Sequence, residues 1–160
     1  MPYSTRLSER RRHSLLTIAA LALVPLACSR GYEPGLGEIM SLQQMRHEKL
    51  WRAGRAENWA LAAYELDELS EGFDDVVRFH PVHKDAPMKL SDLVPKIMGQ
   101  PLRASRAAIE ARNPAAFGEA FDALTAACNS CHQATNFAFN VVRRPPDDVW
   151  FGNQEFAPAR

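Results

Sequence analysis

The chain has 160 residues, 19 basic and 19 acidic side chains, and 46% hydrophobic content. That length supports a single hydrophobic core, and 24% charged residues with eight Phe, three Trp and three Tyr exclude an intrinsically disordered chain. The even charge offers no basic face for a nucleic acid, and three cysteines are too few for a disulfide-built scaffold.

Residues 1–28 read as an export signal. Arg10, Arg11 and Arg12 precede an apolar run from Leu15 to Ala27, broken only by Thr17 and Pro25. The run is shorter than the ~20 residues that cross a bilayer. Leu26-Ala27-Cys28-Ser29 also has the look of a lipobox, which makes Cys28 a candidate lipid anchor. The expected location is therefore the periplasm. Without residues 1–28, which hold four arginines and one glutamate, 15 basic and 18 acidic groups remain, net −3.

Residues 29–135 carry four helical patterns. The first runs over about 36–54, with Leu36, Ile39, Met40, Gln43, His47, Leu50, Trp51 and Gly54 on one side at 100° per residue. Asn58 is the expected cap of the second, whose inward positions are Ala62, Leu66, Leu69, Phe73, Val76 and His80. Glu65, Asp67, Glu68, Glu71, Asp74 and Asp75 fall on its other, solvated side, and Pro81 ends it. Ser91 is the expected cap of the third, which contains Leu93, Val94, Ile97, Leu102, Ala107, Ala108 and Ile109. Pro101 should kink or divide that helix. Asn113-Pro114 starts the fourth, with Phe117, Phe121, Leu124, Ala127, Cys128 and Cys131 inward. No β-type alternation of comparable length exists, so the predicted fold is all-α, an antiparallel four-helix bundle. Residues 136–160, rich in aromatic residues and proline, are expected to pack back on it as an extended tail.

The fourth helix holds the one motif with chemical content. Cys128-Asn129-Ser130-Cys131-His132 is C-x-x-C-H, the attachment pattern for haem c. On a helix, positions i and i+3 share a face, so two thiols one turn apart can reach two vinyl groups on one porphyrin edge. His132, at i+4, can place a ring nitrogen on the iron. Haem c is attached outside the cytoplasm, in keeping with the export signal. Two alternatives draw on the same cysteines: a zinc site joining His80 and His83 to Cys128 and Cys131, and a redox dithiol.

A motif at the end of the last long helix, about 30 residues from the C-terminus, resembles the class II cytochromes c, the cytochrome c prime-like four-helix bundle family. The resemblance covers roughly residues 35–135. That family carries an Arg-Gln pair in its first helix, and the residue three positions after the glutamine faces the distal side of the iron. Here Gln43-Gln44 stand at the pair, without the arginine, and His47 stands at the distal position. The resemblance implies one covalent haem bound by Cys128, Cys131 and His132, a redox partner protein, and a homodimer in many members.

Up-down-up-down topology brings the end of helix four to the start of helix one, the end of helix two and the start of helix three. The haem is expected among Leu36–His47, Phe73–His80 and Leu93–Met98, with His47, Met40 or an open position as the sixth site. His47 and His132 as the two iron ligands imply electron transfer, and an open site implies binding of small gases. Nothing singles out an acid/base group for an enzyme. Arg143 and Arg144 are candidate partners for haem propionates.

Overall fold

The computed structural model describes residues 31–146 and 152–158. Residues 1–28, read above as an export signal with Cys28 as a candidate anchor, and the tail residues Trp150 and Phe151 lie outside the described residues. Four helices follow in order within the unit Pro34–Arg160: α1 (Leu36–Arg55), α2 (Trp59–Phe79), α3 (Leu90–Glu110) and α4 (Pro114–Ala134). They form an antiparallel bundle in which sequential helices pack extensively and α1 packs only lightly on α4.

Two of the three connections are the same device. After α1 the chain turns through Glu57 in the left-handed region (φ 56°), and after α3 through Arg112 (φ 49°). In each turn the amide two residues past the C-cap bonds back to the helix, Asn58 N–H to the Ala53 carbonyl at 2.9 Å and Asn113 N–H to the Ala108 carbonyl at 3.1 Å. These are Schellman closures. The asparagine that closes each turn is also the cap of the helix that follows. Asn58 Oδ1 accepts from Leu61 N–H at 3.2 Å, and Asn113 Oδ1 accepts from Ala115 and Ala116 N–H, both at 3.1 Å. Both predicted asparagine caps are found.

The third predicted cap is not. Lys89, in extended conformation, caps α3 without a side-chain bond, and Ser91 lies inside the first turn. Pro101 does not divide α3, which runs unbroken from Leu90 to Glu110 with Pro101 buried. Burial of its ring offsets the backbone hydrogen bond that a proline removes.

The core follows the predicted stripes in outline, with several changes. Ile39, Leu50, Trp51, Leu66, Leu69, Val76, Met98, Phe117, Phe121 and Leu124 are buried together. Ala107, expected inward, is exposed. Ala53 and Gly72 are buried where α1 and α2 approach closely. Glu65, assigned to the solvated acidic face, is only 2% exposed. Lys49 Nζ stands 3.7 Å from its Oε1, an ion pair rather than a hydrogen bond, and burial pushes the Glu65 carboxyl above its ordinary range.

Aromatic rings fill the far half of the bundle. Trp51 packs on Phe117 and Phe121 with centroid separations of 6.1 and 4.9 Å. Gly54 leaves the room for this, since a Cβ there would overlap the Phe117 ring. Gly118, on the other side of α4, has open space at its Cβ position. Gly54→Ala is therefore expected to lower stability by about 1–3 kcal/mol. Gly118→Ala should raise it by about 0.5–1 kcal/mol through reduced unfolded-chain freedom. Urea unfolding of the two variants checks the opposite signs.

Candidate functional site

At the bundle end where α4 finishes, the weakly packed α1–α4 side opens into a cavity of about 780 Å³. That is within the roughly 300–1,000 Å³ range of cofactor sites. Cys128, Cys131 and His132 all line it. The two cysteines are unpaired thiols, and helical spacing sets them one turn apart. Burial pushes Cys128 up to about 12, with the neighbouring Cys131 adding to the shift, and raises Cys131 as well. Both are neutral thiols at physiological pH, which is the reverse of an activated redox dithiol.

Much of the remaining wall comes from the predicted segments, with Leu69, His83, Asp85, Ala86 and Leu90 added from outside them and His80 absent. Met40 and His47 face the cavity from α1, Phe73 and Val76 from α2, and Val94 and Met98 from α3. The lining is mostly apolar, and three different helices contribute to it, as an enclosed planar ligand requires. Residues 137–146 supply a further wall not anticipated from the sequence, through Phe137, Asn140, Val142 and Arg143 among others.

His132 is fixed at both its backbone and its ring. α4 ends at Thr135, and Asn136 takes a left-handed conformation (φ 66°) that reverses the chain. Asparagine tolerates this region better than most residues. Phe137 N–H then donates to the His132 carbonyl at 2.8 Å, and Asn140 N–H to the Phe137 carbonyl at 2.8 Å. The returning segment sets the Asn140 carbonyl 2.5 Å from His132 Nδ1. A carbonyl only accepts, so Nδ1 carries the proton and Nε2 keeps its lone pair. Nε2 is thus the nitrogen available to a metal.

His47 is buried at 4% exposure, on the cavity wall as expected, with its ring 4.4 Å from the Phe121 ring centroid. Its Nε2 lies 2.8 Å from Thr125 Oγ1, whose own hydroxyl donates to the Phe121 carbonyl at 2.9 Å. Nε2 is therefore the donor in that pair. Burial pushes the His47 imidazole down to about 4, so the ring is neutral above that pH. Gln43, one turn earlier, donates from Nε2 to the Leu69 carbonyl at 2.7 Å, crossing to α2 over Gly72. The Gln43-Gln44 pair thus contributes at least one helix-to-helix tie, while both residues also line the cavity.

Of the zinc alternative's two histidines, His83 lines the cavity with Cys128 and Cys131, while His80 does not, and its Nε2 donates to the Pro34 carbonyl at 2.8 Å. Among the described residues no three His, Cys, Asp or Glu side chains converge as a metal-holding group. The arginine pair divides. Arg143 lines the cavity, but Arg144 forks onto the Asp122 carboxylate, with Nε to Oδ1 at 2.9 Å, and lies over the Trp51 ring at 4.4 Å. Arg144 thereby fastens the tail to the bundle instead of facing the cavity.

Among the described residues no helix is long and apolar enough to cross a membrane. Compared with protein-family models, curated proteins and solved structures, the chain matches none.

His47 and Glu65 give opposite pH slopes. His47 titrates near 6.5 when unfolded and near 4 when folded, so the stability it contributes is complete above about pH 6.5 and is lost as pH falls through about 4. The total is about 3 kcal/mol. The raised Glu65 carboxyl works in the other direction, its contribution lost as pH rises above the ordinary carboxylate range. His47→Gln leaves Glu65 in place, so the stability difference between the chain and this variant isolates His47. Before haem attachment that difference is expected to shrink steadily from pH 7 to pH 4.5 in urea unfolding. A difference independent of pH would mean the imidazole is not buried neutral.

Proposed function

We propose that this is an exported c-type cytochrome that carries one covalent haem and transfers electrons to or from a redox partner protein. The single observation that carries the reading is the joint exposure of Cys128, Cys131 and His132 to one largely apolar cavity of cofactor size. The donor set fits haem c: two thiols at helical spacing for thioethers, and an imidazole whose Nδ1 is already tied to a carbonyl. When bound, haem supplies an iron that exchanges one electron between its ferric and ferrous forms.

The chain's own residues do the rest. Cys128 and Cys131 would hold the group on α4, and His132 would supply Nε2 to its iron. Phe73, Val76, Val94 and Met98 exclude water, and a dry, low-dielectric surround is one of the means by which a protein sets a reduction potential. On the α1 side, His47 and Met40 are the side chains proposed for the sixth position. His47 is neutral at physiological pH, the form that binds metals, but it must release Thr125 to offer Nε2. Met40 needs no such exchange of a hydrogen bond, and its flexible thioether lines the same cavity.

The Thr125 bond also favours a second reading. A His47 that keeps this partner leaves the sixth position open, and the protein then binds small gases such as carbon monoxide or nitric oxide.

Optical spectra of the ferrous haem-loaded protein, with and without carbon monoxide, separate the two. Electron transfer predicts a low-spin six-coordinate spectrum that carbon monoxide leaves unchanged, and conversion to high spin in one of His47→Leu and Met40→Leu but not the other. A high-spin wild-type spectrum that changes at once with carbon monoxide rejects electron transfer with a filled sixth site and supports gas binding.

A further inference from the structure

We propose that Asn129, the first variable position of the attachment motif, is the positioning residue for the axial imidazole. It locks the returning tail so that the Asn140 carbonyl stays on His132 Nδ1; this rests on the haem reading given above. The side-chain amide of Asn129 makes a reciprocal pair with the backbone of Val142. Nδ2 donates to the Val142 carbonyl and Oδ1 accepts the Val142 N–H, both at 2.8 Å. The amide thus does for the tail what a neighbouring strand does in a ladder. Nδ2 also lies 3.2 Å from the Thr125 carbonyl, which fixes the amide's orientation.

The segment between the two ends of this lock is short and tied along its length. Phe137 N–H bonds the His132 carbonyl, Asn140 N–H bonds the Phe137 carbonyl, and Asn136 Nδ2 donates to the Asp85 carbonyl at 3.0 Å. Beyond Val142, Arg144 is held by Asp122, and Arg52 donates to the Pro146 carbonyl at 3.3 Å. Asn140 lies two residues before Val142, so closing the Asn129–Val142 pair sets where the Asn140 carbonyl stands. A carbonyl accepting from the distal ring nitrogen of a metal-bound imidazole orients the ring and makes it a stronger donor. A stronger donor favours the ferric state and lowers the potential.

Two experiments on the full chain test this separately from the haem reading. Side-chain ¹⁵N spectra before haem attachment, at a pH where His132 is neutral, are expected to show the proton on Nδ1 in the wild type. In Asn129→Ala a mixture with the Nε2–H form is expected. A wild-type chain with the proton on Nε2 overturns the inference whether or not the variant folds, and leaves the attachment chemistry of the cysteines untouched. In the haem-loaded protein, Asn129→Ala is expected to keep its covalent haem and to be cleaved within residues 137–146 at least about tenfold faster by added protease. Its midpoint potential is expected to shift positive. Asn129→Asp keeps the acceptor for Val142 N–H and loses the donor, so its potential should fall between the two. Equal potentials in all three proteins overturn the inference, while a wild-type chain that never takes up haem counts against the proposed function instead.

Discussion

One stripe of α4 has to serve the core and then the cavity, and the arrangement of this molecule follows from that constraint. Cys128, Cys131 and His132 must look into the cavity, while Phe117, Phe121 and Leu124 on earlier turns of the same stripe must be buried in the core. A helix cannot change face within three turns. The stripe can therefore run from core to cavity only if the bundle opens beneath its last turn. It does so on the side where α1 and α4 pack only lightly. The reduced packing is compensated by the tail, which supplies the wall and the hydrogen bonds that a closer α1 would have provided.

The histidines illustrate how the same residue type is put to different use by its surroundings. His47 has one ring nitrogen satisfied by a hydroxyl inside the core, and burial keeps it neutral. His80 is spent on holding the entry to α1 through the Pro34 carbonyl. His132 has its Nδ1 on the Asn140 carbonyl at the cavity edge, which leaves Nε2 as the nitrogen for a metal, whereas His83 Nδ1 on the same cavity accepts the Asp85 N–H. Counting histidines or noting their spacing does not separate these roles. Which atom faces a carbonyl and which a hydroxyl does.

Much of the fold was legible because it is local. Asn58 and Asn113 cap helices through bonds to residues two or three positions on, and the apolar stripes of α1 and α4 follow helical period. The candidate site was legible for the same reason, since Cys128, Cys131 and His132 lie within a single turn. What the sequence could not display depends on distant partners. Glu65 is polar by type and sits at the edge of its stripe, and only Lys49 on α1 makes its burial tolerable. Ser91 has the chemistry of a cap but not the place, because the loop before α3 enters in extended form at Lys89. The Asn129–Val142 pair has no periodic signature at all, since its partner is a backbone whose side chain is irrelevant to the contact. The tail was expected to pack through its aromatic rings. Polar ties hold much of it instead, with Phe139 80% exposed and Phe156 against the core.

The central claim is that two thioethers from one helical turn bind a porphyrin in this cavity, and denaturing electrophoresis with haem stain, paired with the pyridine haemochrome spectrum, tests it most directly. The chain is produced alongside a haem-attachment system, beside a Cys128→Ala/Cys131→Ala double variant. The account predicts a stained band and a c-type haemochrome from the wild type that survive denaturation, and neither from the double variant. A wild-type chain that is folded and colourless under those conditions, or one whose haem is stripped by denaturant as readily as the double variant's, would contradict it.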